Sequence, residues 1–191
     1  MEGGLAGASW DLASHRLPPA DLPMALADLH RVLRTGAPLD LQVGPGEHAG
    51  PAGAGAETRR RHGAPTAWTE RHLVDVVVGA GFADVGCEVD ETGAARRVRA
   101  TRARTLADTV GPGMRLLVCG LNPSVYSADR GVGYARPGNR FWKAVVAAGL
   151  VAAERALDPW AVLRHDRIGI TDLAKRATVA SAELGADEYR A

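Results

Sequence analysis

Cysteine is scarce in this chain: Cys87 and Cys119 are the only two in 191 residues. They form neither a metal-ligand spacing nor a disulfide framework. Metal-organised and disulfide-stapled classes are therefore excluded, and reduced thiols in a cytoplasmic compartment are expected. Long hydrophobic runs are also lacking. No stretch of about 18 apolar residues occurs, so no membrane span is expected. The opening Met1-Glu2-Gly3-Gly4 has neither the basic nor the apolar region of a secretory leader. Charge of one sign is missing too, with 23 Lys+Arg against 22 Asp+Glu. That excludes a histone-like polycation and an acidic solvating chain. Aromatics reach only 5%, while the hydrophobic fraction of 46% is ordinary for a globular protein. The length suits one domain or two small ones.

The sequence divides in two, at a hinge expected over 105–114 and punctuated by Gly111-Pro112-Gly113. In the first part, Leu22, Leu26, Leu29 and Leu33 recur at helical spacing, and Thr35-Gly36 supplies a stop. Leu39–Val43 alternates as a short strand. Residues 44–65, rich in Gly, Ala and Pro, read as a flexible loop. Thr69 opens a second helix over 70–79, followed by strands over 82–89 and 96–102 with a turn at 90–93. The arginines at 96, 97, 99, 102 and 104 read as a solvated strand face. In the second part, Arg115–Cys119 is a continuous apolar run, expected to be a buried strand. A long loop over 120–138 leads to a helix over 140–148 with Asn139 as its cap. A second helix is expected over 152–164, interrupted at Pro159, then a strand at 168–170 and a helix beginning at 186.

Val76-Val77-Val78-Gly79-Ala80-Gly81 imitates a dinucleotide-binding turn. Such a turn needs a strand before its glycines and a helix N-terminus after them, so that amides face phosphate. Here the helix comes first and the strand second, so the glycines read as a helix stop. Residues 9–104 resemble the C-terminal half of a class I S-adenosylmethionine-dependent methyltransferase. The resemblance is carried by Trp10-Asp11-Leu12, by Leu29-His30-Arg31-Val32-Leu33-Arg34-Thr35-Gly36, by the strand Leu39–Val43 and by Ala80-Gly81-Phe82. The front half of that fold, with its glycine-rich loop and ribose-binding acid, has no counterpart. Residues 1–105 therefore read as a methyltransferase-like remnant.

In residues 106–191, Gly120-Leu121-Asn122-Pro123-Ser124 follows the apolar run directly. Gly131-Val132-Gly133-Tyr134-Ala135-Arg136-Pro137-Gly138-Asn139-Arg140-Phe141-Trp142-Lys143 comes next, and a third block runs from Gly169 to Thr178. Together these resemble the mismatch-specific uracil/thymine branch of the uracil-DNA glycosylase superfamily. The resemblance implies an α/β fold, a partial α/β/α sandwich, without its C-terminal part. It implies a hydrolase that cleaves the N-glycosidic bond of uracil or thymine in base-excision repair, without metal or cofactor. Its partner would be duplex DNA with a G·U or G·T mismatch.

On that resemblance Asn122 is the catalytic residue, and it acts by orienting water rather than as a base. Tyr134 would stack on the extrahelical base, Ser127 would line the pocket entrance, and Leu121 would read the base edge. Arg136 and Arg140, in a stretch from Arg130 to Lys143 that holds no acid, would face DNA phosphates. Two alternatives stand beside this reading. One is an inactive fragment or a DNA-binding or interaction module; the other is an S-adenosylmethionine-dependent methyltransferase.

Overall fold

The computed structural model describes residues 4–11, 19–44, 69–89 and 96–189. The loop expected over 44–65 (Gly44 apart), the turn over 90–93 and the last two residues fall outside them. The fold is mixed α/β. Its first sheet has four strands: β1 (Ala8–Asp11), β2 (Pro38–Val43), β3 (Phe82–Val89) and β4 (Arg96–Arg102). Their order is β1-β2-β4-β3. β1 runs parallel to β2, from Ala8 opposite Leu39 to Asp11 opposite Gln42. β4 runs antiparallel to both β2 and β3.

Alternation decides which face of β2 is buried. Leu39, Leu41 and Val43 point inward, and Val98 and Ala100 of β4 meet them. The helix α1 (Leu22–Val32) covers that face with Leu22, Leu26, Ala27 and His30. The helix α2 (Glu70–Gly79) adds Leu73 and Val77, and Thr69 Oγ1 caps it by accepting from the His72 N–H at 3.2 Å. Each fully buried leucine here contributes roughly 1.5–3 kcal/mol through removal from water.

α1 ends two residues before the expected Arg34. The Val32 carbonyl accepts from the Leu5 N–H at 2.8 Å, and Leu33 turns extended into the core. α2 stops at Gly79, and Gly81 at φ 93° makes the turn into β3. A Cβ on Gly81 would lie 2.6 Å from the His30 ring, so both space and conformation call for glycine. A bulge between Ala83 and Gly86 shifts the β3–β4 register, with Asp84 at φ 53°.

The second part holds two parallel strands, β5 (Leu116–Gly120) and β6 (Ile168–Asp172). The α/β/α sandwich expected here is not what these residues display, because the described strands number two. Parallel strands ordinarily carry cover on both faces. Ile168, Gly169 and Ile170 of β6 have it. In β5, Leu116 and Leu117 are 40% and 48% exposed, and no described strand lies along its outer edge. The expected buried strand is therefore a half-open one.

A helix absent from the sequence reading, α3 (Val125–Arg130), occupies the loop after β5. Ser124 caps it, and Gly131 at φ 66° ends it. α4 (Phe141–Ala147) follows, its first amide held by Asn139 Oδ1 at 2.8 Å. Pro159 opens the last helix, α5 (Pro159–Ala161), instead of interrupting one. α5 runs on as a π-helical turn over Val162–Asp166. Trp142, Val151, Val162, Ile168 and Ile170 make the second core. Trp142 Nε1 donates to the Gly133 carbonyl at 2.9 Å.

The expected hinge is a bonded strap. Thr105 and Thr109 are buried. Thr109 exchanges both backbone hydrogen bonds with Ile170 of β6, at 2.9 and 3.0 Å. The Asp108 N–H donates to the Gly79 carbonyl at 2.8 Å, and Arg104 forks onto Asp129 at 2.7 Å. The segment that Gly111-Pro112-Gly113 marked as a hinge carries bonds that fasten the two parts together. No described helix is long and apolar enough to cross a membrane.

Candidate functional site

The carboxyl ends of parallel strands are where open α/β sheets collect ligands. In this chain Gly120 and Asp172 end β5 and β6 side by side, in register. Glycine is required at 120. A Cβ there would overlap Asp172 Oδ1 and lie 2.8 Å from Tyr134 Oη. Both oxygens thus converge over one backbone position. Tyr134 adopts φ 58°, a left-handed conformation uncommon for a bulky residue. It is held there by stacking on Phe141, with ring centroids 4.1 Å apart and planes 27° apart. Phe141 in turn meets Trp142 edge-on at 5.1 Å.

Burial raises the Asp172 carboxyl to about 6; the nearby Asp108 charge adds to this and Lys175 opposes it. Asp108 receives Lys175 Nζ at 2.6 and 2.9 Å and the Thr171 hydroxyl at 2.8 Å. Burial still leaves the Asp108 carboxyl above its ordinary value. Tyr134 is likewise raised, first by burial and then by the Asp172 charge. A cavity of about 210 Å³ opens beside these groups, bordered by His30, Arg102, Asp108, Trp160, Thr171 and Asp172. His30 Nε2–H donates to the Ala103 carbonyl at 3.1 Å. Burial, then the charge of Arg102, lowers its pKa to about 4, so the ring is neutral near pH 7. The arrangement offers one carboxyl that exchanges a proton near pH 6, next to a carboxylate–ammonium pair.

Of the site residues expected from the sequence, Tyr134 stands with its hydroxyl beside Asp172 over Gly120, and the others lie elsewhere. Asn122, Leu121, Ser127 and Tyr134 do not border the cavity. Asn122 Nδ2 donates to the Thr178 hydroxyl at 2.7 Å and to the Pro123 and Arg176 carbonyls at 3.1 Å. Its amide hydrogens therefore brace the 122–124 turn against residues 176–178. The backbone repeats the tie, with Val125 N–H donating to Thr178 O at 3.0 Å and Thr178 N–H to Pro123 O at 3.1 Å. Ser127 is buried with its hydroxyl 3.1 Å from that of Ser124. Leu121, Arg136 and Arg140 are exposed. Asp108, Asp172 and Lys175 received no role from the sequence. Their signal was the position of Asp172 at a strand's carboxyl end, with Lys175 three residues on.

No group of three or more His, Cys, Asp or Glu among the described residues has the geometry to hold a metal. Gly79 ends a helix and Gly81 leads into a strand, so their amides cannot form a strand-to-helix phosphate cradle.

No family model matches the chain. Similar solved structures include a possible exported protein from Bordetella parapertussis, at 13% identity and TM-score 0.39 over 53% of this chain and 40% of that one. A SAM-dependent methyltransferase from Methanosarcina mazei matches at 18% identity and TM-score 0.32, over 53% and 61%. Human N-acetylserotonin methyltransferase in complex with SAM matches at 12% and 0.32, over 50% and 28%. This chain thus spans less than two thirds of each of these relatives. No uracil-DNA glycosylase is found among the structural neighbours. This corrects the glycosylase reading in its family, its hydrolase chemistry and its place in DNA repair. The water-steering task given to Asn122 was drawn from that reading and goes with it.

Proposed function

We propose that this chain serves methyl transfer from S-adenosylmethionine, as the acceptor-side half of a methyltransferase-type sheet. The observation that carries the reading is the strand order β1-β2-β4-β3, two parallel strands followed by an antiparallel hairpin whose last strand inserts between β2 and β3. The residues that resembled such an enzyme fall on or beside these elements: Trp10 on β1, Leu29 to Gly36 across the end of α1, Leu39–Val43 on β2, and Ala80-Gly81-Phe82 at the turn into β3. β1 is an edge strand among the described residues, open to further strands on its outer side. A cofactor-binding half would add its strands there.

The described residues do not fit the cofactor itself. Around Gly79 and Gly81 the helix precedes the strand, and between β5 and the short helix α3 stand Leu121-Asn122-Pro123 rather than a glycine-rich turn. What these residues supply is alignment. β1 and β2 run parallel and end level, with Asp11 opposite Gln42.

The test is complementation. The cofactor-binding front half of the Methanosarcina mazei methyltransferase is fused ahead of the intact chain, and S-adenosylmethionine is titrated by calorimetry. The expected result is no binding by the chain alone and saturable binding by the fusion. A fusion that folds cooperatively and still releases no binding heat overturns the reading.

A further inference from the structure

At the amino ends of β1 and β2, where α1 runs out, the surface holds an open notch of about 680 Å³. Gly4, Arg31, Arg34, Thr35, Gly36 and Arg102 wall it. Three guanidinium groups, from α1, the turn that follows it and β4, border one hollow. The acceptors of that corner are already engaged. The Val32 carbonyl accepts from Leu5 N–H at 2.8 Å, that of Arg34 from Ala37 N–H at 3.0 Å, and that of Arg102 from Gly36 N–H at 2.9 Å. The His30 carbonyl accepts from Arg102 Nε at 3.2 Å, and Thr35 Oγ1 accepts from Arg102 Nη1.

The nearby carboxylates are engaged as well. Asp28 pairs with Arg31 at 3.4 Å, and Asp129 with Arg104 at 2.7 Å. Among the described residues, no carboxylate forms an ion pair with Arg34 or Arg102, the Asp129 charge reaching Arg102 only through space, and the Arg34 side chain makes no hydrogen bond. The two bonds that Arg102 donates fix the plane of its guanidinium while leaving Nη2 uncommitted. A half-buried guanidinium with fixed orientation and an unspent donor is matched by a tetrahedral oxyanion, which accepts planar forked donors well.

We propose that this notch binds a phosphate oxyanion, with Arg102 as the fixed donor and Arg34 closing over the ligand from the rim. Both glycines suit that task. A Cβ at Gly4 would come 2.9 Å from Arg34 Cγ, so its absence lets the arginine stem lie along the chain. Gly36, at φ 81°, has no atom within 4 Å of where a Cβ would stand, which keeps that wall low. The notch lies at the amino ends of β1 and β2, away from the Asp11 and Gln42 ends invoked for methyl transfer. The two readings therefore stand or fall separately.

The test titrates inorganic phosphate and, in parallel, glycerol phosphate into the full chain by calorimetry, against sodium chloride at equal ionic strength. Saturable one-site binding of either is expected, and the tighter of the two tells whether the free ion or a phosphate ester is the natural source. Arg34→Gln should weaken binding about tenfold, equivalent to about 1.4 kcal/mol. Arg34→Lys, which keeps the charge and loses the fork, should weaken it less. Arg71→Gln, an exposed arginine on α2, should leave it unchanged. Arg34 is exposed, so its variants should retain the wild-type circular dichroism spectrum. Heats that never saturate overturn the proposal, as does an Arg34→Gln protein that is folded and binds phosphate with wild-type affinity. Equal weakening by Arg71→Gln also overturns it, because it reduces the effect to bulk charge.

Discussion

Two side chains set opposite pH responses. His30 falls from 6.5 to about 4 on folding, so the unfolded chain binds its proton more readily. Its contribution to stability is complete above pH 6.5 and is lost as pH falls through 4; the full size is about 3 kcal/mol. Asp172 rises from 3.8 to about 6. Its charge destabilises the fold as pH rises from 3.8 through 6, by up to about 3 kcal/mol before solvent screening reduces it. The windows overlap between about 6 and 4, where the two effects offset each other. Glu188, lowered to about 2 by Arg176, begins to respond at the acid end of that range, as pH falls from 4.5 through 2. Urea midpoints measured from pH 4 to 7 should therefore be nearly flat for the wild-type chain. Asp172→Asn should become less stable on acidification over that range, and His30→Gln more stable. Slopes of the same sign in both variants would contradict this assignment. Neither residue stood out in the sequence, since a lone His on an apolar helix face and an Asp after Ile-Thr carry no periodic signal. Their behaviour comes from what the fold places around them.

At the scale of elements, local signals were strongest where apolar spacing and a stop agreed. α2 and the strands β3 and β4 occupy the expected residues. Thr69 and Gly81 bound α2 with chemistry visible in the sequence, and the reversed order around Gly79 was legible for the same reason. α3 was missed although Ser124 and Gly131 bracket it, because a single short turn of helix has too few apolar positions to show a period. The strap over 105–109 was missed because its threonines bond to residues more than 60 positions away. The Asn122 brace belongs to this scale as well. Asn122→Ala removes one side of three contacts and should cost about 1–3 kcal/mol. Amide exchange should accelerate at Val125 and Thr178, whose backbone bonds the brace protects. Unchanged protection at both would show that the backbone pairing holds without it.

At the scale of the whole molecule, two cores are joined through β6 and α2 by one short run of chain. Leu41 and Val98 anchor the first core without touching the second. Leu41→Ala should lower stability by about 2–5 kcal/mol. Chemical denaturation of a variant that keeps Trp142 as its single tryptophan, followed by its fluorescence and by far-ultraviolet circular dichroism, tells how strongly the strap couples the cores. The expected outcome is a shared shift of both transitions, and a displaced dichroism signal with an unmoved tryptophan signal would make the strap a passive tether. The division into residues 1–105 and 106–191 was proposed from composition, while the bonds across that boundary involve residues distant in sequence that no local pattern links.

The half-open β5 has a consequence for how this protein behaves in a tube. A bare ladder of amides and carbonyls flanked by Leu116 and Leu117 is an adhesive rim, ready to template a neighbour's strand once molecules crowd together. Light scattering should grow steeply with concentration, and Leu117→Lys should suppress it by planting a charge that no incoming strand tolerates. Among the described edges, this one carries two half-exposed leucines, and it is the margin whose charge most affects how much of the chain stays dispersed.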